Sequence, residues 1–120
     1  MDKQQALQGF WSNFGLPAYE EGTVDKDAVM PYITYNVITD NYENGVTLNA
    51  DLWYYSEAWR EIDRKANAIG TFIGLGGVLK KIDGGYLWVK KGTPFATHVT
   101  DPNNMVRRVR LSVNADFLTQ

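Results

Sequence analysis

From Met105 to Phe117 the chain alternates as a single long strand, Met-Val-Arg-Arg-Val-Arg-Leu-Ser-Val-Asn-Ala-Asp-Phe, which commits the fold to a sheet with one apolar face. Met105, Val109, Leu111, Val113, Ala115 and Phe117 share one side, and Val106, Arg108, Arg110, Ser112, Asn114 and Asp116 share the other. At about 3.3 Å per residue the segment reaches roughly 40 Å, longer than most strands. The expectation is that part of it outruns its own sheet as an exposed edge, and such an edge normally has a partner.

The rest of the chain supplies what packs on that strand. Leu7, Phe10, Trp11 and Phe14 recur at helical spacing after Asp2, a good N-cap, and the run stops at Gly15, Leu16 and Pro17. Residues 18–30 are polar and acidic without a period and read as a long contact loop. Tyr32 to Thr39 and Val46 to Tyr55 read as a β-hairpin turned at Asn44-Gly45. Ser56 is placed to cap a second helix whose stripe is Trp59, Ile62, Ala66, Ile69 and Ile73, ending near Gly74. Val78 to Ile82 and Tyr86 to Lys91 form a second hairpin around Asp83-Gly84-Gly85, and Gly92 to Asn104 connects it to the final strand. This α-β-β-α-β-β-β order predicts an α+β domain over residues 1–120, with two helices on a largely antiparallel sheet of about five strands.

Charge is unevenly placed. Residues 1–63 carry eleven acidic and three basic side chains, whereas residues 64–120 carry nine basic and three acidic ones, for a net charge of −2. Such polarity suits a head-to-tail contact between subunits, and equally suits pairing of the two halves inside one subunit. The chain has no cysteine, which excludes disulfides and thiolate metal sites. It has no basic leader with an apolar run and no stretch near the ~18 apolar residues that span a bilayer, so a soluble product with no membrane partner is expected.

Chemistry finds little to work with. His98 is the sole histidine, and as a loop residue it offers no triad. Glu20, Glu21, Asp25 and Asp27 lack the spacing of a calcium loop and read as a solvated acidic surface. Gly70, Gly74, Gly76 and Gly77 with Lys80 and Lys81 follow a helix instead of preceding one, the wrong order for a phosphate loop. No enzyme activity, cofactor or metal is expected. Lys80, Lys81, Lys90 and Lys91 around Tyr86 and Trp88, with Arg107, Arg108 and Arg110 downstream, fit a basic protein-binding face better than a nucleic-acid site, given a pI near 5.3.

Several segments carry a family resemblance. Gly92-Thr-Pro-Phe-Ala-Thr97, Asp101-Pro-Asn-Asn104, Arg107-Arg-Val-Arg-Leu111 and Ala115-Asp-Phe-Leu-Thr119 resemble the closing part of tail terminator proteins, also called tail completion or minor tail proteins, of long-tailed bacteriophages and prophages. Leu16-Pro-Ala-Tyr-Glu-Glu-Gly22 and Pro31-Tyr-Ile-Thr-Tyr35 are similar to the same family. The resemblance implies a structural subunit, typically hexameric, that caps the tail tube as a ring, ends polymerisation and presents a head-joining surface. Its partners would be itself, the tail tube protein and the head-tail connector proteins, with passing contact to DNA in the bore. Its place would be the virion tail or neck, and the host cytoplasm during assembly. A head-to-tail adaptor and a monomeric nucleic-acid-binding module are the alternatives. On charge and exposure, Arg107, Arg108, Arg110, Lys90 and Lys91 are the basic contact candidates, and Glu20, Glu21, Asp25 and Asp27 the acidic ones.

Overall fold

The computed structural model describes residues 2–37 and 46–119. Helix α1 (Lys3–Trp11) opens with a capping box: the Asp2 carboxylate accepts from the Gln5 backbone N–H at 2.7 Å, and the Gln5 side chain accepts from the Asp2 N–H at 3.0 Å. A single 3₁₀ turn, Ser12–Phe14, extends it to Gly15. Ala6, Leu7, Phe10 and Trp11 form its buried stripe. Helix α2 (Arg60–Ile73) buries Ile62, Ala66, Ile69 and Ile73 and places Glu61 and Asp63 in its first turn, where the helix dipole favours negative charge. Ser56 does not cap it. Its hydroxyl accepts from the Ala58 N–H at 3.1 Å, holding the turn ahead of the helix, and Trp59 occupies the cap position without a side-chain bond.

The strands are β1 (Ala18–Glu20), β2 (Tyr32–Tyr35), β3 (Val46–Tyr55), β4 (Val78–Ile82), β5 (Gly85–Val99) and β6 (Val106–Thr119). They form one six-stranded sheet in the order β1-β2-β3-β6-β5-β4, antiparallel throughout except for β1 beside β2. The α+β class holds, with one more strand than expected. The additional strand is β1, three residues inside the stretch read as loop. Too short to show a period, it is held by the Ile33 N–H on the Pro17 carbonyl and the Glu21 N–H on the Tyr35 carbonyl. The Asn44-Gly45 turn and the end of the Tyr32–Thr39 run lie outside the described residues.

The final strand is no edge. β6 lies in the interior of the sheet, with β3 on one side from Val46↔Ala115 to Tyr55↔Val106 and β5 on the other from Gly85↔Thr119 to Val99↔Arg108. It does not outrun its sheet because β5 is equally long. The connection expected over residues 92–104 is partly strand: after a register shift between Lys91 and Ala96, β5 continues to Val99. Gly92 permits that shift: a Cβ there would stand 2.8 Å from the Ser112 carbonyl oxygen of β6.

Both helices cover the same sheet face. Ile33, Leu48, Leu52, Leu87, Val89, Val109, Leu111 and Val113 meet Phe10, Trp11, Ile62 and Ile69 in a common core. Residues of alternate parity make up the open face, among them Thr34, Asp51, Trp53, Trp88, Lys90, Arg108 and Arg110. Gly77, just ahead of β4, has φ +80°, and a Cβ there would stand 2.6 Å from the Val89 carbonyl and 2.8 Å from Trp88 Nε1. Gly77→Ala combines a strained backbone with a clash against a strand. A loss of at least about 2 kcal/mol is expected in urea unfolding. A loss under about 0.5 kcal/mol would contradict it.

Gln8 ties α1 to the far edge of the sheet. Its amide donates to Ser12 Oγ at 2.9 Å and to the Ala18 carbonyl at 3.1 Å, while its oxygen accepts from the Tyr35 hydroxyl. The Tyr35 phenol is raised from its ordinary value by burial and then by the charge of Glu20; Tyr54 is raised by burial and then by Glu61. Both favour the neutral phenol in the folded state, so their contribution is intact below about pH 10 and is lost as pH climbs through the raised folded values. Denaturation midpoints of the wild type should fall in that range. The Tyr35→Phe/Tyr54→Phe variant should lose less between pH 9 and 11, and parallel slopes would refute the assignment.

Candidate interaction surfaces

The open face is organised by Asp51, a nearly buried carboxylate on β3. Arg108 Nη2 donates to its Oδ2 at 2.7 Å and Arg108 Nε at 3.2 Å, and Arg110 Nε donates to its Oδ1 at 3.1 Å. This hydrogen bond, and then the carboxylate charge, raises the Arg110 guanidinium above its ordinary value. Arg108 also lies 4.5 Å from the Trp53 ring centroid, and Trp53 Nε1 donates to Thr34 Oγ1 at 2.9 Å. Further along the same seam, Ser112 Oγ donates to Asn49 Oδ1 at 2.9 Å and Thr47 Oγ1 to Asn114 Oδ1 at 3.2 Å. Lys90 Nζ sits 2.9 Å from Asp116 Oδ2 and 4.2 Å from the Trp88 centroid. Part of the charge asymmetry along the chain is therefore matched within the subunit.

The other candidates separate by face. Arg107 shares the helix side with Val109, where its guanidinium donates to the Glu57 carbonyl at 2.7 Å and to the Asn104 carbonyl at 2.9 Å and lies 5.3 Å from the Trp59 centroid. His98 is a β5 residue and not a loop one. It stacks on Trp59 at 3.7 Å with planes 6° apart, and its Nε2 lies 2.8 Å from Asp63 Oδ1, clamping β5 to α2. Lys91 pairs in register with Val113 and so faces the helix side, opposite to Lys90. Among the described residues it has no ion-pair partner, which distinguishes it from Arg108, Arg110 and Lys90. Among the same residues, no group of three or more His, Asp or Glu side chains is placed to hold a metal ion.

Two surface features complete the picture. A groove of about 590 Å³ runs between α2 and the outer side of β5, lined by Gly70, Thr71, Leu75, Lys91, Gly92 and Phe95. Gly70 lets it form, since a Cβ there would stand 3.1 Å from the Phe95 ring. Leu75 at its mouth is fully exposed. The second feature is the acidic loop. Glu20, Glu21, Asp25 and Asp27 are all exposed; the Asp25 carboxylate accepts from the Asp27 N–H at 3.0 Å, and the Ala28 N–H closes the turn on the Asp25 carbonyl at 2.9 Å. That turn presents Val29 at 80% exposure beside Met30 and Tyr55. Sequence periodicity marks neither Val29 nor Leu75, because isolated apolar residues in turns have no period. Asp51 was legible only as an outward β3 position; its partners needed the β3–β6 register.

No protein-family model and no curated protein matches the chain. Among solved structures, a chain of one titled as the virion of a native gene transfer agent particle is 15% identical, with a TM-score of 0.66 over 97% of this chain and 94% of that one. A second solved chain is 11% identical, with a TM-score of 0.65 over 98% of this chain and 94% of its own length. At these identities what is shared is the fold, an α+β arrangement that extends over nearly the whole of both neighbours.

Proposed function

We propose that this chain is a structural subunit of a phage-type virion, acting as a tail terminator. The observation that carries the reading is the end-to-end likeness to a chain of a virion particle, 97% of one and 94% of the other, at a TM-score of 0.66. The segment resemblance at residues 16–22, 31–35 and 92–119 supports the same reading at the level of the tail. In this role subunits associate head to tail into a ring, the ring seats on the last ring of tube subunits, and occupancy of the growing end stops polymerisation. The opposite surface of the ring then offers the head connector a place to join. No covalent step is needed, only a contact stronger at a tube end than along its side. A monomeric nucleic-acid module fits less well, since Arg108 and Arg110 are matched by Asp51.

Gold-labelled protein mixed with preformed tubes of its cognate tail protein tests this by electron microscopy. Label at one end of each tube, with growth arrested there, is the expected result. Label along the tube walls, or none with growth unchanged, would overturn the terminator role. Label that binds only the head-side connector would favour an adaptor in the neck.

A further inference from the structure

Two unlike surfaces stand apart on one subunit. The acidic turn carrying Asp25, Asp27 and Val29 joins β1 to β2, the first two strands in the sheet order. The groove carrying Leu75, Phe95 and Lys91 lies along β5, four strand spacings from β1, or roughly 19 Å at about 4.8 Å each. The groove end lacks a covering strand. β4 pairs with β5 only as far as Val89, so among the described residues no strand lies beyond β5 from Lys90 to Val99. At the other end Ala18 and Glu20 face away from β2. Their carbonyls accept from Gln8 and from the Thr23 N–H and hydroxyl, so that edge is closed to an added strand and contacts there fall to the loop's side chains.

We infer that the Asp25–Met30 turn of one subunit docks into the α2–β5 groove of a second copy of this chain, with Val29 against Leu75 and Phe95 and with Asp25 and Asp27 facing Lys91. The inference rests on the ring reading above and names the surfaces that would close it. Charge is complementary: the turn carries two exposed carboxylates against one exposed lysine, Lys26, and so brings a net negative charge to Lys91, which has no ion-pair partner among the described residues. Shape is complementary as well, since an apolar knob at 80% exposure faces a groove with an exposed leucine at its mouth. Because knob and groove are two different surfaces of the subunit, the contact is heterologous and repeats until the rotation closes. Each subunit then uses both surfaces, so a contact modest by itself is reinforced by closure.

The absence of native cysteines gives a clean probe. A Val29→Cys/Leu75→Cys variant changes two exposed side chains and should fold as the wild type does. With a short bis-maleimide, in solution and on tube ends, it should give a ladder on a denaturing gel that ends in a closed species, while each single variant stays monomeric. Lys91→Glu should raise the concentration needed for assembly roughly tenfold, and adding Asp27→Lys should recover most of that. Rings seen by native mass spectrometry without the double-variant ladder, or single variants that crosslink as dimers, would overturn this interface and leave the ring standing. No ring in solution or on tube ends would overturn both.

Discussion

Phe10→Ala is expected to destabilise the protein by about 3–5 kcal/mol, a large share of the roughly 5–15 kcal/mol that holds a typical domain together. Phe10 is fully buried and sits edge-to-face with Trp11, centroids 4.8 Å apart, and with Phe14 at 5.5 Å. Phe14 in turn meets Phe72 of α2 edge-to-face at 5.3 Å. Truncation therefore removes the side chain's own burial, leaves a void that a close-packed interior fills poorly, and takes away the ring that Phe14 rests on where it meets α2. Urea unfolding should show a lower midpoint at an unchanged slope. A double-mutant cycle with Phe14→Leu should give a coupling of about 0.5–1.5 kcal/mol. A loss below about 1 kcal/mol for Phe10→Ala would mean that the helices close over the gap.

Asp51→Ala should have the next largest effect, about 2–4 kcal/mol. The carboxylate is 9% exposed and accepts from two guanidinium groups. Its removal leaves Arg108 and Arg110 as like charges two residues apart on one strand face, with only the Trp53 ring beside Arg108 and the charge of Glu21 acting on Arg110 to offset their partial burial. The half-exposed Arg110 recovers some hydration, which keeps the figure below that of a wholly buried pair. Thermal unfolding should fall by roughly 10 °C, with Asp51→Asn between wild type and Asp51→Ala. Reversal of Arg108 and Arg110 to Glu would set three acids together and weaken the fold itself. Any assembly defect in that variant must therefore be read against its melting temperature. An Asp51→Ala protein as stable as the wild type would make the triad a surface ornament.

Helix α1 was legible almost to the residue because its information is local: Asp2 caps, Leu7, Phe10 and Trp11 space the stripe, and Gly15 stops it. The face assignment in β6 was equally legible, since alternation is a property of the strand alone. Its neighbours were not. A core strand and an edge strand alternate alike, and what tells them apart is whether Arg108 and Arg110 find a carboxylate, which depends on the distant β3 register. Residues 92–104 read as a connection, yet β5 runs on to Val99 through a register shift between Lys91 and Ala96, because Gly92 and Pro94 mark an irregularity inside the strand and not its end. The candidate surface was half visible. The exposed acids at residues 20–27 were recognised, while the groove facing Lys91 arises from a helix and a strand that only the fold brings together.

The interior placement of β6 bears on how the sheet assembles. β1, β2 and β3 on one flank and β4 and β5 on the other have no hydrogen-bonded seam between them until residues 106–119 arrive. Ser112 and Asn49, which bond across that seam, are 63 residues apart in the chain. Formation of the seam must therefore close a long loop before any contact rewards it, the signature of slow folding dominated by distant pairings. The amides of β6 should be the last to exchange with solvent, opening only when the whole structure does. Without it the two flanks share no hydrogen-bonded seam, so the subunit is expected to come apart as one cooperative unit.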